Sequence, residues 1–155
     1  MIIPVNEARL DDASMVHAVS WQESHRSFCD AAFVERHDAA HQKEYIRKKM
    51  ADGSAFYLLL EEDRPVGVVS VLGGLIEDLY VLPAEQNRGY GTRLLHFAME
   101  RCDSAPTLWI LENNANAERF YRRNGFRPTG RRNHITAKLD EIEFALRAAD
   151  TSILL

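Results

Sequence analysis

Leu79-Tyr80-Val81-Leu82-Pro83-Ala84-Glu85-Gln86-Asn87-Arg88-Gly89-Tyr90-Gly91-Thr92 is the stretch whose reading decides the fold. Leu75 to Leu82 reads as a strand that ends at a proline. A glycine-containing loop follows, then a helix from about Gly89 to Arg101 and a strand from Thr107 to Leu111. Strand, loop, helix and strand make a βαβ unit, so the two strands are parallel and the loop lies at their carboxyl end. Two glycines one residue apart at a helix start leave successive backbone N–H groups bare at the positive end of the helix dipole. Such a nest suits a phosphate, although a glycine pair at this position also serves as a tight turn and nothing more.

Upstream, Ile2 to Ala8 reads as a short strand, and Asp11 or Asp12 as the cap of a helix running to about Phe28. A second helix spans about Asp38 to Met50 and ends at the turn signal Ala51-Asp52-Gly53. Phe56 to Leu60 and Val66 to Leu72 read as strands, set apart by the polar turn Glu61 to Pro65 and by Gly73-Gly74. With Leu75 to Leu82 they form an antiparallel meander. Downstream come a helix from about Asn114 to Asn124 and strands near Phe126 to Thr129 and Glu141 to Arg147. A parallel pair inside a meander makes the sheet mixed. The expected class is α+β in three layers, a mostly antiparallel twisted sheet with helices on both faces. With 155 residues, no internal repeat and no linker, residues 1–155 read as a single domain.

Hydrophobic residues make up 46% and charged residues 27%, which excludes a disordered chain. Nineteen basic and 23 acidic residues give a net charge of −4, with no global attraction to nucleic acid or an anionic membrane. The sum is uneven: Met1 to Asp78 holds 8 basic and 14 acidic residues, Leu79 to Leu155 holds 11 and 9. Between Arg88 and Arg132 there are 9 basic and 4 acidic residues, an excess of 5 that suits a small polyphosphate ligand. Apolar runs such as Phe56 to Leu60 fall far short of the roughly 20 residues a membrane helix needs. MIIPVNEARLDD carries no secretory pattern, so the expected compartment is the cytoplasm. Cys29 and Cys102 suggest neither a disulfide framework nor a zinc site. His37 and His41 sit one helical turn apart but lack an acidic third ligand, and read as surface residues; no metal is expected.

The glycine loop fits neither of two familiar phosphate motifs. Thr92-Arg93-Leu94 follows Gly91, where the Walker loop needs Lys with Ser or Thr, and the dinucleotide fingerprint needs a third glycine or alanine. Instead, Gln86-Asn87-Arg88-Gly89-Tyr90-Gly91 resembles the Gln/Arg-x-x-Gly-x-Gly/Ala motif of the GNAT superfamily of N-acetyltransferases. A second block, Leu108 to Tyr121 followed by Asn124-Gly125-Phe126, is similar to another part of that family's pattern in its Asn, Ala, Phe-Tyr and Gly-Phe. Together they cover roughly the second half of the chain.

The resemblance implies acetyl-CoA as co-substrate and a sheet whose two parallel central strands splay to admit it. Backbone groups of Leu79, Tyr80 and Val81 would pair with the pantetheine amides, in the manner of an added strand. Amides from Gln86, Asn87, Arg88, Gly89, Tyr90, Gly91 and Thr92 would hold the pyrophosphate, and Asn114 would contact the cofactor; Asn114 is also placed to cap a helix. Tyr121 matches the family's acid, which protonates the departing thiolate, and would also contact the cofactor; the other reading is a buried aromatic beside Phe120. A backbone N–H near Val81 would polarise the thioester carbonyl.

An alkyl ammonium of pKa about 10.4 must lose a proton before it attacks, so a base or a water relay helps. Where some members carry a strand glutamate this chain has Leu75, which cannot act. Glu77, two residues on and on the same strand face, is the first choice, while Asp78 points to the other face by simple alternation. Either acid could instead hold a cationic acceptor. On the first helix Leu10, Ala13, His17, Trp21, Ser24 and Phe28 form one stripe, core by its pattern, although His17 and Trp21 lie where the family walls its acceptor site. Lys43, Arg47, Lys48 and Lys49 with Glu44 read as a solvated charged face.

The expected activity is transfer of acetyl from acetyl-CoA to a primary amine, small or peptidic, by direct attack in a ternary complex. The alternatives are a transferase of another acyl group and a non-catalytic acyl-CoA-binding regulatory module. A nucleic-acid-binding domain is disfavoured by the acidic balance. A homodimer is left open, being common for folds that pair edge strands.

Overall fold

The computed structural model describes residues 1–27 and 29–146. Phe28, the expected end of the first helix, and Arg147, the expected end of the last strand, lie outside the described residues. Seven strands form one sheet in the order β1-β2-β3-β4-β5-β7-β6, and the chain divides into two compact units.

The first unit comprises Met1–Leu72 and Ile76–Arg101. It opens with β1 (Ile2–Pro4), a 3-10 turn (Glu7–Arg9) and α1 (Leu10–His25). Asp11 and Asp12 sit inside the first turn of α1 and do not cap it. The 3-10 turn runs directly into the helix and its Glu7 carbonyl accepts from the Leu10 N–H, so that amide needs no side-chain cap. Asp12 pairs with Arg9 instead. A short helix absent from the sequence reading, α2 (Ala31–Arg36), precedes α3 (Ala39–Ala51), which Asp38 caps by accepting from the His41 N–H at 2.9 Å.

The strands β2 (Ala55–Glu61), β3 (Arg64–Leu72) and β4 (Leu75–Val81) then follow, with β1 and β3 both antiparallel to β2. Val66 to Val71 are buried without a break, the signature of a strand covered on both faces. On one face Leu10, Ala13, Val16 and Ile46 from α1 and α3 pack with Phe56, Leu58, Leu60 and Val68. Each such side chain contributes about 1.5–3 kcal/mol on burial. On β3 as well sits α4 (Tyr90–Arg101), with Leu94, Leu95 and Ala98 fully buried. The approach is close at Gly67, where an added Cβ would lie 2.6 Å from Leu94 Cδ1 and 3.2 Å from the Tyr80 carbonyl oxygen.

The second unit comprises Gly73–Leu75 and the described residues from Cys102 onward. Leu75, the first residue of β4, registers in parallel with Thr107 of β5 (Thr107–Leu111), which is the expected parallel pair. After α5 (Ala115–Arg123), Gly125 turns the chain at φ +93 and returns its N–H to the Arg122 carbonyl, a common helix ending. The hairpin of β6 (Phe126–Thr136) and β7 (Leu139–Leu146) completes the sheet, with β7 antiparallel to both β5 and β6. The sequence reading stops β6 at Thr129. In the structure Gly130, at φ +94, sits in a register irregularity between Pro128 and Arg132, and the strand continues beyond it. No described helix is long and apolar enough to cross a membrane.

Candidate active site

Strand β4 carries the first surprise. Asp78 adopts φ +54, a left-handed conformation inside a strand, and this interrupts the two-residue alternation of side chains. Glu77 and Asp78, expected on opposite faces, consequently both reach partners on α3. Asp78 Oδ1 accepts from His17 Nε2 at 2.8 Å and from the Tyr45 hydroxyl at 2.9 Å, while Oδ2 accepts from the Ser70 hydroxyl at 2.8 Å. His17 is buried, and its Nδ1 lies 2.9 Å from Gln42 Nε2, so Gln42 donates and fixes the tautomer with its proton on Nε2. Burial alone would raise the Asp78 carboxyl, but the His17, Ser70 and Tyr45 donors outweigh it and hold the carboxyl below its ordinary range. The Tyr45 phenol moves up, from burial first and then from the Asp78 charge, so it remains a donor.

Glu77, the first-choice base, does not stand free. Its Oε1 lies 2.5 Å from Lys49 Nζ, and both side chains are partly buried. Lys49, expected on a solvated face, is turned in over the Tyr45 ring, 5.8 Å from the centroid.

The loop between β4 and α4 contains the other expected contacts. After Val81, Pro83–Glu85 forms a 3-10 turn, and Gln86 Nε2 reaches back to the Val81 carbonyl at 3.2 Å. Glu85 is buried and anchors the loop through Arg64 and Arg88. Asn87 at φ +65 and Gly89 at φ +83 place two left-handed residues just before α4. The first i-to-i−4 bond of that helix runs from the Arg93 N–H to the Gly89 carbonyl, which leaves the amides of Tyr90, Gly91 and Thr92 in the unpaired first turn. An added Cβ at Gly89 would meet nothing within 4 Å, so the backbone there faces open space. Leu79, Tyr80 and Val81 form the end of β4, with the Tyr80 ring edge-on to His17 at 4.9 Å.

In the second unit, Asn114 caps α5 by accepting from the Ala117 N–H at 3.1 Å. Tyr121, seven residues on, lies two turns along the same helix face. It is half-buried, edge-on to Phe120 at 5.1 Å and Phe126 at 5.9 Å, and among the described residues none hydrogen-bonds its hydroxyl. Burial pushes the phenol upward, so it keeps its proton at neutral pH.

Residues 52–128, from the end of α3 through the glycine loop to the start of β6, match the family described as an acetyltransferase (GNAT) domain. The chain belongs to the GNAT superfamily of N-acetyltransferases. A relative in Salmonella typhimurium, the peptidyl-lysine N-acetyltransferase YjaB, is 24% identical over 131 residues, spanning 84% of this chain and 88% of its own. The solution structure of apo YjaB from Escherichia coli is similar with a TM-score of 0.73 at 20% identity, over 96% of this chain and 98% of that one. The crystal structure of PaiA N-acetyltransferase from Thermoplasma acidophilum in complex with coenzyme A gives 0.68 at 15% identity, over 92% and 96%. These two likenesses are of fold.

Within this GNAT chain the sequence reading missed Tyr45 and Ser70, which donate to Asp78, and Gln42, which reaches the same cluster through His17. Gln42 and Tyr45 are one helical turn apart on α3 and one turn from Ile46 and Lys49, a spacing that marks one face but does not reveal what it faces. Trp21, offered as a possible acceptor wall, is stacked between His25 and His37, each ring centroid 3.9 Å away. His37 and His41 are close, at 4.6 Å between centroids. A cavity of about 250 Å³ lined by Gln22, Arg26, Cys29 and Val34 includes none of the expected site residues.

Proposed function

We propose that the chain, as one acetyltransferase domain over residues 1–155, moves acetyl from acetyl-CoA to a primary amine of the lysine side-chain type by direct attack in a ternary complex. The observation that carries this is the run from Leu79 to Thr92: a strand end, two left-handed residues and a helix start with its amides bare and open space at Gly89. Bare amides, the helix dipole and Arg88 together suit a pyrophosphate. The coenzyme A complex of PaiA and the peptidyl-lysine name of YjaB support the choice of donor and acceptor class. Bound acetyl-CoA supplies an activated acyl carbon and a thiolate leaving group.

On this reading the backbone of Leu79, Tyr80 and Val81 pairs with the pantetheine, and amides of Gln86 to Thr92 grip the phosphates, with Asn114 as a further contact. A β4 amide near Val81 polarises the thioester carbonyl. Glu77 takes the proton of the acceptor ammonium. Asp78, already saturated by three donors, is a positioning residue that keeps the β4 kink attached to α1 and α3. Tyr121 is assigned as the proton donor to the thiolate; burial makes its phenol a weaker acid than the thiol, so the proton passes to sulfur only in concert with C–S cleavage, when collapse of the tetrahedral adduct supplies the driving force. No step needs a metal. The cytoplasm suits two free cysteines and an acetyl-CoA supply.

Calorimetry with acetyl-CoA, paired with thiol-release assays over lysine peptides, polyamines and aminoglycosides, tests the reading. Binding with release of thiol on lysine peptides is the expected result. Absence of binding ends the proposal, and binding without turnover on any amine leaves the regulatory-module alternative. Faster turnover with a longer acyl-CoA would instead identify a different acyl donor.

A further inference from the structure

A primary alkylammonium already sits on the acid assigned to receive one. The sequence contains four lysines, Lys43, Lys48, Lys49 and Lys138. Lys48 and Lys138 are exposed, and Lys43 pairs with Asp11, a carboxylate that is 84% exposed. Lys49 differs from all three: its Nζ lies 2.5 Å from Glu77 Oε1, its side chain is 25% exposed, and the Tyr45 ring stands beside it. A carboxylate and an aromatic face are the two groups that recognise an ammonium in a partly desolvated place. Glu77 is two residues before Leu79 on the same strand, which at about 3.3 Å per residue is no more than roughly 7 Å along β4. The four-carbon stem of a lysine can swing over that span.

We propose that Lys49 is a self-acetylation site, the chain's own occupant of the acceptor-amine position. This rests on the acetyltransferase reading above. The ammonium on Nζ gives one proton to Glu77, and from there to water. The neutral nitrogen attacks the thioester carbon, a C–N bond forms as the C–S bond breaks, and the second proton released from nitrogen is balanced by the proton that converts the thiolate to the free thiol. The product is a neutral acetamide on Lys49 and free coenzyme A. Without its charge Lys49 no longer holds Glu77, and the carboxylate becomes available to an external ammonium.

The test is to incubate the full chain with acetyl-CoA and no other amine, then follow occupancy at each lysine by peptide mass spectrometry. Acetylation of Lys49 about tenfold or more faster than of the more exposed Lys48, with a rate constant independent of protein concentration, is expected. Glu77→Gln should remove that preference while the folded far-ultraviolet spectrum is kept. Lys49→Arg, which retains the ion pair, should leave the chain without a preferred site. Modification that follows exposure, at Lys48 and Lys138 as readily as at Lys49, overturns the proposal, as does a rate that rises with protein concentration. If calorimetry shows acetyl-CoA bound and free amines are acetylated while Lys49 stays unmodified, the self-acetylation proposal fails and the acetyltransferase reading stands. If acetyl-CoA does not bind, both fall.

Discussion

A buried carboxylate in a left-handed conformation carries two costs, desolvation and backbone strain of about 1–2 kcal/mol. At Asp78 three donors offset them, from α1, α3 and β3. Because the folded carboxyl titrates below its unfolded value of 3.8, its contribution to stability is fully present above that pH and is lost as the pH falls through the folded value. Denaturant midpoints measured from neutral to acid pH should therefore drop in the parent chain below about pH 4. Asp78→Asn should be less stable at neutral pH by about 3–5 kcal/mol and should show a flatter acid limb; an unaltered limb would mean that another group carries it. Tyr121 offers a functional counterpart. Tyr121→Phe keeps the ring contacts with Phe120 and Phe126 and removes only the hydroxyl. Turnover should fall by about 10²-fold or more while calorimetric affinity for acetyl-CoA stays within about twofold, and equal turnover would remove Tyr121 from the mechanism.

Among the elements, the junction of β4 and α4 is where backbone conformation and ligand chemistry coincide. Gly89 is a glycine because of its φ of +83 and not because of crowding, since an added Cβ meets nothing within 4 Å. Gly89→Ala should thus act through conformation: about 1 kcal/mol of lost stability by thermal denaturation, and weaker acetyl-CoA binding as the amides of Tyr90 and Gly91 swing from line. Unchanged affinity in a folded variant would place the phosphate elsewhere. The same reasoning explains why element types were legible in the residues while some ends were not. The meander, α4 and α5 announce themselves through apolar periodicity, glycine breaks and the Asn114 cap. The start of α1 does not, because the preceding 3-10 turn takes over the job of the cap; nor does the end of β6, because Gly130 is absorbed as an irregularity and does not break the strand.

Across the whole chain, charge separates along the sequence, with an excess of 5 positive residues from Arg88 to Arg132 inside a protein of net −4. If that excess helps to hold a polyphosphate, affinity for acetyl-CoA should fall several-fold as ionic strength rises from about 0.01 to 0.3 M, by isothermal calorimetry in matched buffers. Salt-independent binding would assign the affinity to backbone and apolar contacts. Much of this lies in the sequence itself: family membership, the mixed sheet and the glycine loop follow from local patterns, because glycine placement, caps and periodicity act over a few residues and leave their mark in sequence order. What residues do to one another across long separations was decided only by folding. Glu77 and Lys49 meet over 28 positions, and His17 and Asp78 over 61. Strand alternation put Asp78 on the wrong face because a single left-handed residue, stabilised by partners on three other elements, resets the direction of the side chains, and no local pattern records partners that distant.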